Sequence, residues 1–138
     1  MNIDSIENGY VIDHITAGKA MELYNLLALG ESDASVAIIK NVPSRKQGLK
    51  DIMKINADIS INLDIIGYVD PGSTVNVIRD GVIVEKKTIM MPEILKNVIK
   101  CKNPRCITSV EQEIEHTFKL TDKEAKVYRC IYCETKAN

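Results

Sequence analysis

The stretch STVNVIRDGVIVEKKT, residues 73–88, carries the clearest local signal in the chain. Two runs rich in β-branched residues flank Asp80 and Gly81. A two-residue type I′ turn needs positive φ at both central positions, and Asp-Gly is among the pairs that adopt this conformation most readily. We therefore predict a β-hairpin over residues 74–88.

The segment that precedes this hairpin alternates between strand-like and helix-like patterns. GYVIDHI at residues 9–15 and SVAIIKNV at residues 35–42 are short β-branched runs typical of strands. Between them, apolar residues recur at helical spacing, and Gly30 is expected to end that helix. The leucines concerned are Leu23, Leu26 and Leu27.

A third strand is expected in KDIMKI at residues 50–55, after a polar loop that begins where Pro43 ends the second strand. The next segment, residues 56–72, fits either an alternating strand or a short helix ending at Gly67. We favour the helix because the chain needs a connection there. This part therefore predicts an α+β fold, a ferredoxin-like sandwich whose mostly antiparallel sheet is covered by two helices on one face.

Composition excludes several classes of protein. The 138 residues are 45% hydrophobic and 27% charged, with a formal net charge of −1. Nucleic-acid binding usually requires a basic surface, and base stacking requires aromatic residues, of which this chain has one Phe and no Trp. The N-terminal residues show no signal peptide and no apolar run could span a bilayer, so we expect a cytoplasmic protein without a membrane partner.

All the cysteines of the chain lie near its C-terminal end, in CKNPRC and in CIYC. Two closely spaced pairs separated by 23 residues are typical of a tetrahedral site of four thiolates. We therefore predict one structural Zn²⁺ per chain. Its ligands would be Cys101, Cys106, Cys130 and Cys133, whereas His116 is expected to be a surface residue.

A metal would also explain how residues 93–138 fold, because this segment contains few large apolar side chains. We predict a small β domain of the zinc-ribbon type there, after a first domain over residues 1–92. Four thiolates leave no coordination position for water or substrate, so the metal is not expected to be catalytic. With few candidates for acid, base and nucleophile, the chain is not expected to be an enzyme.

Several motifs together resemble a known family. GYVIDHI near the start, KDIMKI after a polar loop, TVNVI in the late hairpin and CKNPRCI followed by CIYCE resemble the regulatory chain of aspartate carbamoyltransferase, in the same order and over nearly the whole chain. The resemblance implies a non-catalytic subunit of pyrimidine biosynthesis that binds CTP, ATP or UTP. It also implies a regulatory homodimer whose zinc domain contacts the catalytic chain.

The resemblance further implies a nucleotide site in the first domain. Asp13 would contact the ribose, Lys54 the sugar and phosphate side, and Lys86 the triphosphate. Backbone groups of Ile6 would meet the base. Apolar and amide side chains would line the base pocket, namely Val11, Ile52, Asn76, Ile78 and Ile83.

Two assignments stay open at this level. Adjacent strand residues point to opposite faces, so Asp13 is preferred to His14, which remains the second candidate. In a regular hairpin around Asp80 and Gly81, Lys87 would share the face of Asn76, whereas the resemblance implies Lys86. The alternative function is a zinc-ribbon module that binds nucleic acid or a transcription partner.

Overall fold

The structure is a computed structural model that describes residues 6–137. The chain divides between Met91 and Pro92 into two compact units, each with its own sheet. Within the described residues, no helix has the length and apolar character needed to cross a membrane.

The first unit follows a βαββαβ order and ends in one further strand. Its elements are β1 (Gly9–Thr16), α1 (Ala20–Leu26), a 3-10 turn (Leu29–Glu31), β2 (Ser35–Ser44), β3 (Gly48–Asn56), α2 (Leu63–Val69), β4 (Thr74–Arg79) and β5 (Val82–Thr88). The strands form one antiparallel sheet in the order β2-β3-β1-β4-β5. This arrangement confirms the predicted ferredoxin-like α+β sandwich.

The core lies on one face of this sheet, which we call the covered face. Ile12 of β1 is paired with Met53 of β3 and Val75 of β4, so the three side chains share that face, and all are fully buried. The helices contribute Leu23 and Ile66, also fully buried, and α1 contacts both α2 and β3. The opposite face of the sheet has no helix packed on it among the described elements.

The hairpin prediction is confirmed, because Asp80 and Gly81 have φ of 51° and 79° between β4 and β5. The short helix expected before the hairpin is present as α2, but it ends at Val69 and not at Gly67. Two other predicted stops are also wrong. Helix α1 ends at Leu26, and the chain turns at Ala28, whose φ of 55° is left-handed. Strand β2 continues through Pro43, because β2 pairs only with β3 and a proline on an edge strand costs no ladder hydrogen bond on its open side.

The pairing shifts in three places within the described sheet, and a buried carboxylate contacts one of these bulges. In β1 the pairing shifts by one residue between Ile12 and Ile15, and in β2 it shifts between Ile39 and Val42. The Asp51 carboxylate, which is fully buried, accepts hydrogen bonds from the backbone N–H groups of Gly18 and Asn41, both at 3.0 Å. It therefore links the turn after β1 and the bulge in β2 to β3.

The second unit contains β6 (Ile94–Lys96), α3 (Ile107–Val110), β7 (Thr117–Asp122) and β8 (Val127–Cys130), with the strands in the antiparallel order β6-β7-β8. Leu95, Phe118 and Tyr128 fill its interior. This small sheet confirms the predicted β domain of the zinc-ribbon type.

Candidate ligand-binding face and metal centre

Four strands of the first unit align polar and cationic side chains in one row across the sheet. Val11 is paired with Lys54 on one side and with Asn76 on the other, and Asn76 is paired with Lys86. Directly paired residues in an antiparallel sheet point to the same face. We call this the open face, since it lies opposite the covered face.

A bulge in β5 determines which lysine joins this row. Ile78 is paired with Ile83, but Val77 is paired with Glu85, so Val84 is an extra residue on β5. Lys86 therefore stands opposite Asn76, whereas Lys87 is paired with Val75 of the covered face.

The bulge in β1 brings Asp13 and His14 to the same face. Asp13 Oδ1 lies 3.0 Å from Lys50 Nζ, and His14 Nδ1 lies 3.1 Å from Thr74 Oγ1. The expectation that these neighbours point to opposite faces is wrong, because His14 has a φ of 57° and leaves the regular alternation.

The electrostatics of Asp13 depend on Lys50, which the sequence interpretation missed. Burial alone would raise the pKa of the Asp13 carboxyl, but the hydrogen bond from Lys50 and the backbone N–H of His14 outweigh it and lower that pKa. Lys50 precedes Ile52 and Lys54 at alternate positions of β3, so strand alternation could have identified it.

The remaining apolar candidates occupy different places. Ile52 is half-buried on the open face between Lys50 and Lys54. Ile78 is buried, whereas its partner Ile83 is 63% exposed. Ile6 is buried beside the hairpin turn and lines a cavity of about 450 Å³, whose described lining includes Glu7, Asp80 and Gly81.

The second unit brings its four cysteine sulfurs together, and all lie within 4.8 Å of one another. Cys101 Sγ is 3.5 Å from Cys133 Sγ, and Cys106 Sγ is 3.6 Å from Cys130 Sγ. A tetrahedral Zn²⁺ with bonds of about 2.3 Å needs sulfurs about 3.8 Å apart, so the cluster fits such an ion. No disulfide competes, because all four thiols are free.

The sulfurs have different surroundings. Thr108 Oγ1 lies 3.1 Å from Cys106 Sγ, and Thr135 Oγ1 lies 3.2 Å from Cys133 Sγ. The Thr108 hydroxyl lowers the pKa of Cys106, and the Thr135 hydroxyl lowers the pKa of Cys133 to about 6.

Burial has the opposite effect on the other two thiols. It raises the pKa of Cys101 to about 12 and raises that of Cys130 as well. The surroundings therefore favour the thiolate form at Cys106 and Cys133 and the neutral thiol at Cys101 and Cys130.

His116 has a supporting position and is not one of the clustered ligands. Its Nδ1 accepts a hydrogen bond of 3.0 Å from the backbone N–H of Cys101, and the side chain is half-buried. His116 was expected to be a surface residue and not a ligand; it lies outside the cysteine cluster, but its side chain is half-buried and hydrogen-bonded, which the sequence did not predict.

Comparison with known proteins agrees with this architecture. Residues 1–90 match the family model described as the allosteric domain of the aspartate carbamoyltransferase regulatory chain, and residues 93–138 match the metal binding domain of the same chain. An allosteric domain joined to a metal-binding domain defines a non-catalytic, regulatory class of subunit.

Similar proteins carry the same description. The aspartate carbamoyltransferase regulatory chain of Clostridium acetobutylicum is 47% identical over 134 residues, which cover 97% of this chain and 92% of that protein. That of Bifidobacterium longum is 42% identical over 137 residues, 99% of each chain. The protein belongs to the family of aspartate carbamoyltransferase regulatory chains.

Proposed function

We propose that the open face of the first domain, residues 1–92, binds the nucleoside triphosphates CTP, ATP and UTP as effectors of aspartate carbamoyltransferase. The observation that carries the proposal is the row formed by Lys54, Val11, Asn76 and Lys86. It combines cations, an amide and an apolar contact on one accessible surface, as a nucleotide requires.

Charge on this face favours a polyanion. Lys54 and Lys86 make no ion pair with any of the described residues, whereas Lys50 is neutralised by Asp13. The strands that carry Lys54 and Lys86 are three spacings apart, about 14 Å at the backbone. Lysine side chains are long enough to converge on a triphosphate from that separation.

The other groups suit the nucleoside. The carboxylate of Asp13 can accept hydrogen bonds from ribose hydroxyls, and the amide of Asn76 can both donate to and accept from a base edge. Ile52, Ile78 and Ile83 would supply apolar contacts, with His14 beside the ribose. The cavity lined by Ile6, Glu7, Asp80 and Gly81 would admit a base beside the hairpin turn.

The second domain, residues 93–138, would hold one structural Zn²⁺ through its four cysteines and contact the catalytic chain. Four sulfurs complete a tetrahedral sphere, so the ion would stabilise the fold without taking part in a reaction. Free thiols of this kind are typical of a reducing compartment, which supports a cytoplasmic location.

Regulation would depend on assembly. Among the described strands, β2 pairs with β3 alone, so its outer edge could pair with β2 of a second regulatory chain. A nucleotide would alter the activity of pyrimidine biosynthesis only if it bound two quaternary states of the complex with different affinity.

Calorimetric titration of the metal-loaded chain with CTP and with ATP tests the site. Replacing Lys54 or Lys86 by alanine removes a charged contact worth about 1.5–3 kcal/mol, so each variant should bind about 10- to 100-fold more weakly. Lys87→Ala is the matched control, since the neighbouring lysine faces the covered side and should leave the affinity unchanged.

Equal loss of affinity in Lys86→Ala and Lys87→Ala would show that the face is misassigned. No saturable binding by the intact chain would overturn the nucleotide proposal itself. Transmission of nucleotide binding to the catalytic chain is tested separately. The rate of the catalytic chain is measured with and without this subunit, in the presence and absence of CTP or ATP.

A further inference from the structure

The second cysteine of each pair in the metal centre begins the same tripeptide pattern, Cys-x-Thr. Cys106 is followed two positions later by Thr108, and Cys133 is followed two positions later by Thr135. In both places the hydroxyl oxygen is within 3.2 Å of the preceding cysteine sulfur. Each cysteine pair thus has one sulfur in contact with a threonine hydroxyl.

Each threonine also reaches its sulfur through the main chain. The backbone N–H of Thr108 also faces Cys106 Sγ and contributes to the lowered pKa of that thiol, and the N–H of Thr135 does the same at Cys133. One residue therefore offers two donors to one sulfur. Replacing the threonine by valine would remove only the hydroxyl donor and keep both the N–H and the side-chain shape.

The hydroxyls have a defined direction once a metal is bound. A thiolate carries no proton, so in the metal-bound state the threonine O–H must be the donor and the sulfur the acceptor. Thr108 is only 3% exposed, so water competes little for its hydroxyl. Groups of this kind around metal ligands hold the ligand in place and tune its bond to the metal.

We propose that Thr108 and Thr135 are positioning residues of the metal centre. Their hydroxyls keep the Cys106 and Cys133 thiolates on the ion and thereby slow its release. This inference rests on the proposed metal binding and adds to it a role for two residues that are not ligands. Cys101 and Cys130 have no hydroxyl neighbour of this kind among the described residues, so the proposed role concerns one sulfur in each pair.

The test compares valine and serine at the two positions in the full chain. The variants are Thr108→Val, Thr135→Val, Thr108→Ser and Thr135→Ser. Thr117→Val is the matched control, because Thr117 is a buried threonine of the same unit whose hydroxyl makes no hydrogen bond to a sulfur in the described structure. All are loaded with Zn²⁺, and transfer of the ion to a coloured chelator is followed over time.

Loss of one hydroxyl should speed metal release about tenfold, while each serine variant and Thr117→Val should release at the wild-type rate. A second readout uses Co²⁺ as the probe. A thiolate without its hydroxyl donor is easier to oxidise, so the sulfur-to-cobalt charge-transfer band should move to longer wavelength in the valine variants only.

Valine variants that match Thr117→Val in rate and spectrum would overturn the positioning role while leaving metal binding intact. If a valine variant failed to load, a serine variant with wild-type loading and rate would support the role, and a serine variant that also failed would refute it. A wild-type chain that bound neither Zn²⁺ nor Co²⁺ would overturn the metal proposal and this inference with it.

Discussion

Removing the metal should unfold the second unit and leave the first one folded. The perturbation is treatment of the reduced chain with a mercurial and a chelator, followed by removal of both. The two units have separate cores, because the chain divides into compact units between Met91 and Pro92. The loss should therefore stay within residues 92–138.

The expected size of the effect follows from how little the second unit buries. Apart from cysteines, its nearly fully buried apolar side chains among the described residues are Leu95, Phe118 and Tyr128. Burial of such side chains contributes about 1.5–3 kcal/mol each, so roughly 9 kcal/mol at most. A structural Zn²⁺ contributes about 10–16 kcal/mol. A Zn²⁺ ion bound here would therefore stabilise this unit more than its apolar core does. Without an ion, the cost of backbone ordering, about 1–2 kcal/mol per residue, would outweigh the burial.

Hydrogen exchange measured by mass spectrometry distinguishes the two units. In the metal-free chain, peptides from β7 and β8 should lose their protection, while peptides from β1, β3 and β4 should keep it. Restoring Zn²⁺ should restore protection, which controls for damage during stripping. Slow exchange in β7 and β8 of the metal-free, reduced chain would refute the reasoning, since the side-chain core would then suffice.

Two further predictions concern carboxylates of the first unit, both followed by urea unfolding with signals resolved for that unit. Asp51→Ala removes two charged hydrogen bonds and should lower the free energy of unfolding by about 3–6 kcal/mol, and Asp51→Asn should lower it by less. The exposed control Asp58→Ala should lower it by under about 1 kcal/mol. Equal effects at positions 51 and 58 would contradict this prediction. The pKa of Asp13 is lowered from 3.8, so its contribution is complete above that pH and is lost as the pH falls through the lowered pKa. Asp13→Asn should therefore weaken the acid dependence of stability, and an unchanged dependence would argue against the ion pair with Lys50.

The parts of the fold that could be predicted are those set by local chemistry. Asp-Gly is among the pairs that adopt positive φ most readily, and here both residues do, so the hairpin follows from the local sequence. The wrong predictions concern residues whose conformation depends on the surrounding structure. Ala28 takes a left-handed conformation that alanine rarely adopts alone, and Pro43 is compatible with β2 only because that strand lies at the sheet edge.

In the candidate site too, features set by local sequence could be predicted, whereas features set by the surrounding structure could not. The cysteine spacing predicts a cluster, and the structure brings the four sulfurs together. The faces of His14 and Lys86 could not be derived, because both depend on bulges. The bulge at His14 arises where β1 pairs with the distant strand β3, and the bulge before Lys86 interrupts the regular pairing that a two-residue turn predicts. Alternation along β3 could have predicted the position of Lys50. The repeated Cys-x-Thr pattern at Thr108 and Thr135 could also have been found in the sequence.

The extra residue in β5 also decides the sign of the charge beside Asn76. If β4 and β5 paired without a bulge from Ile78 and Ile83 onward, Glu85 would stand opposite Asn76, and an anion would repel any phosphate there. The bulge replaces Glu85 by Lys86 without changing a single amino acid. The electrostatic preference of this surface is therefore encoded in a backbone irregularity, and a charge count along the strand would not reveal it.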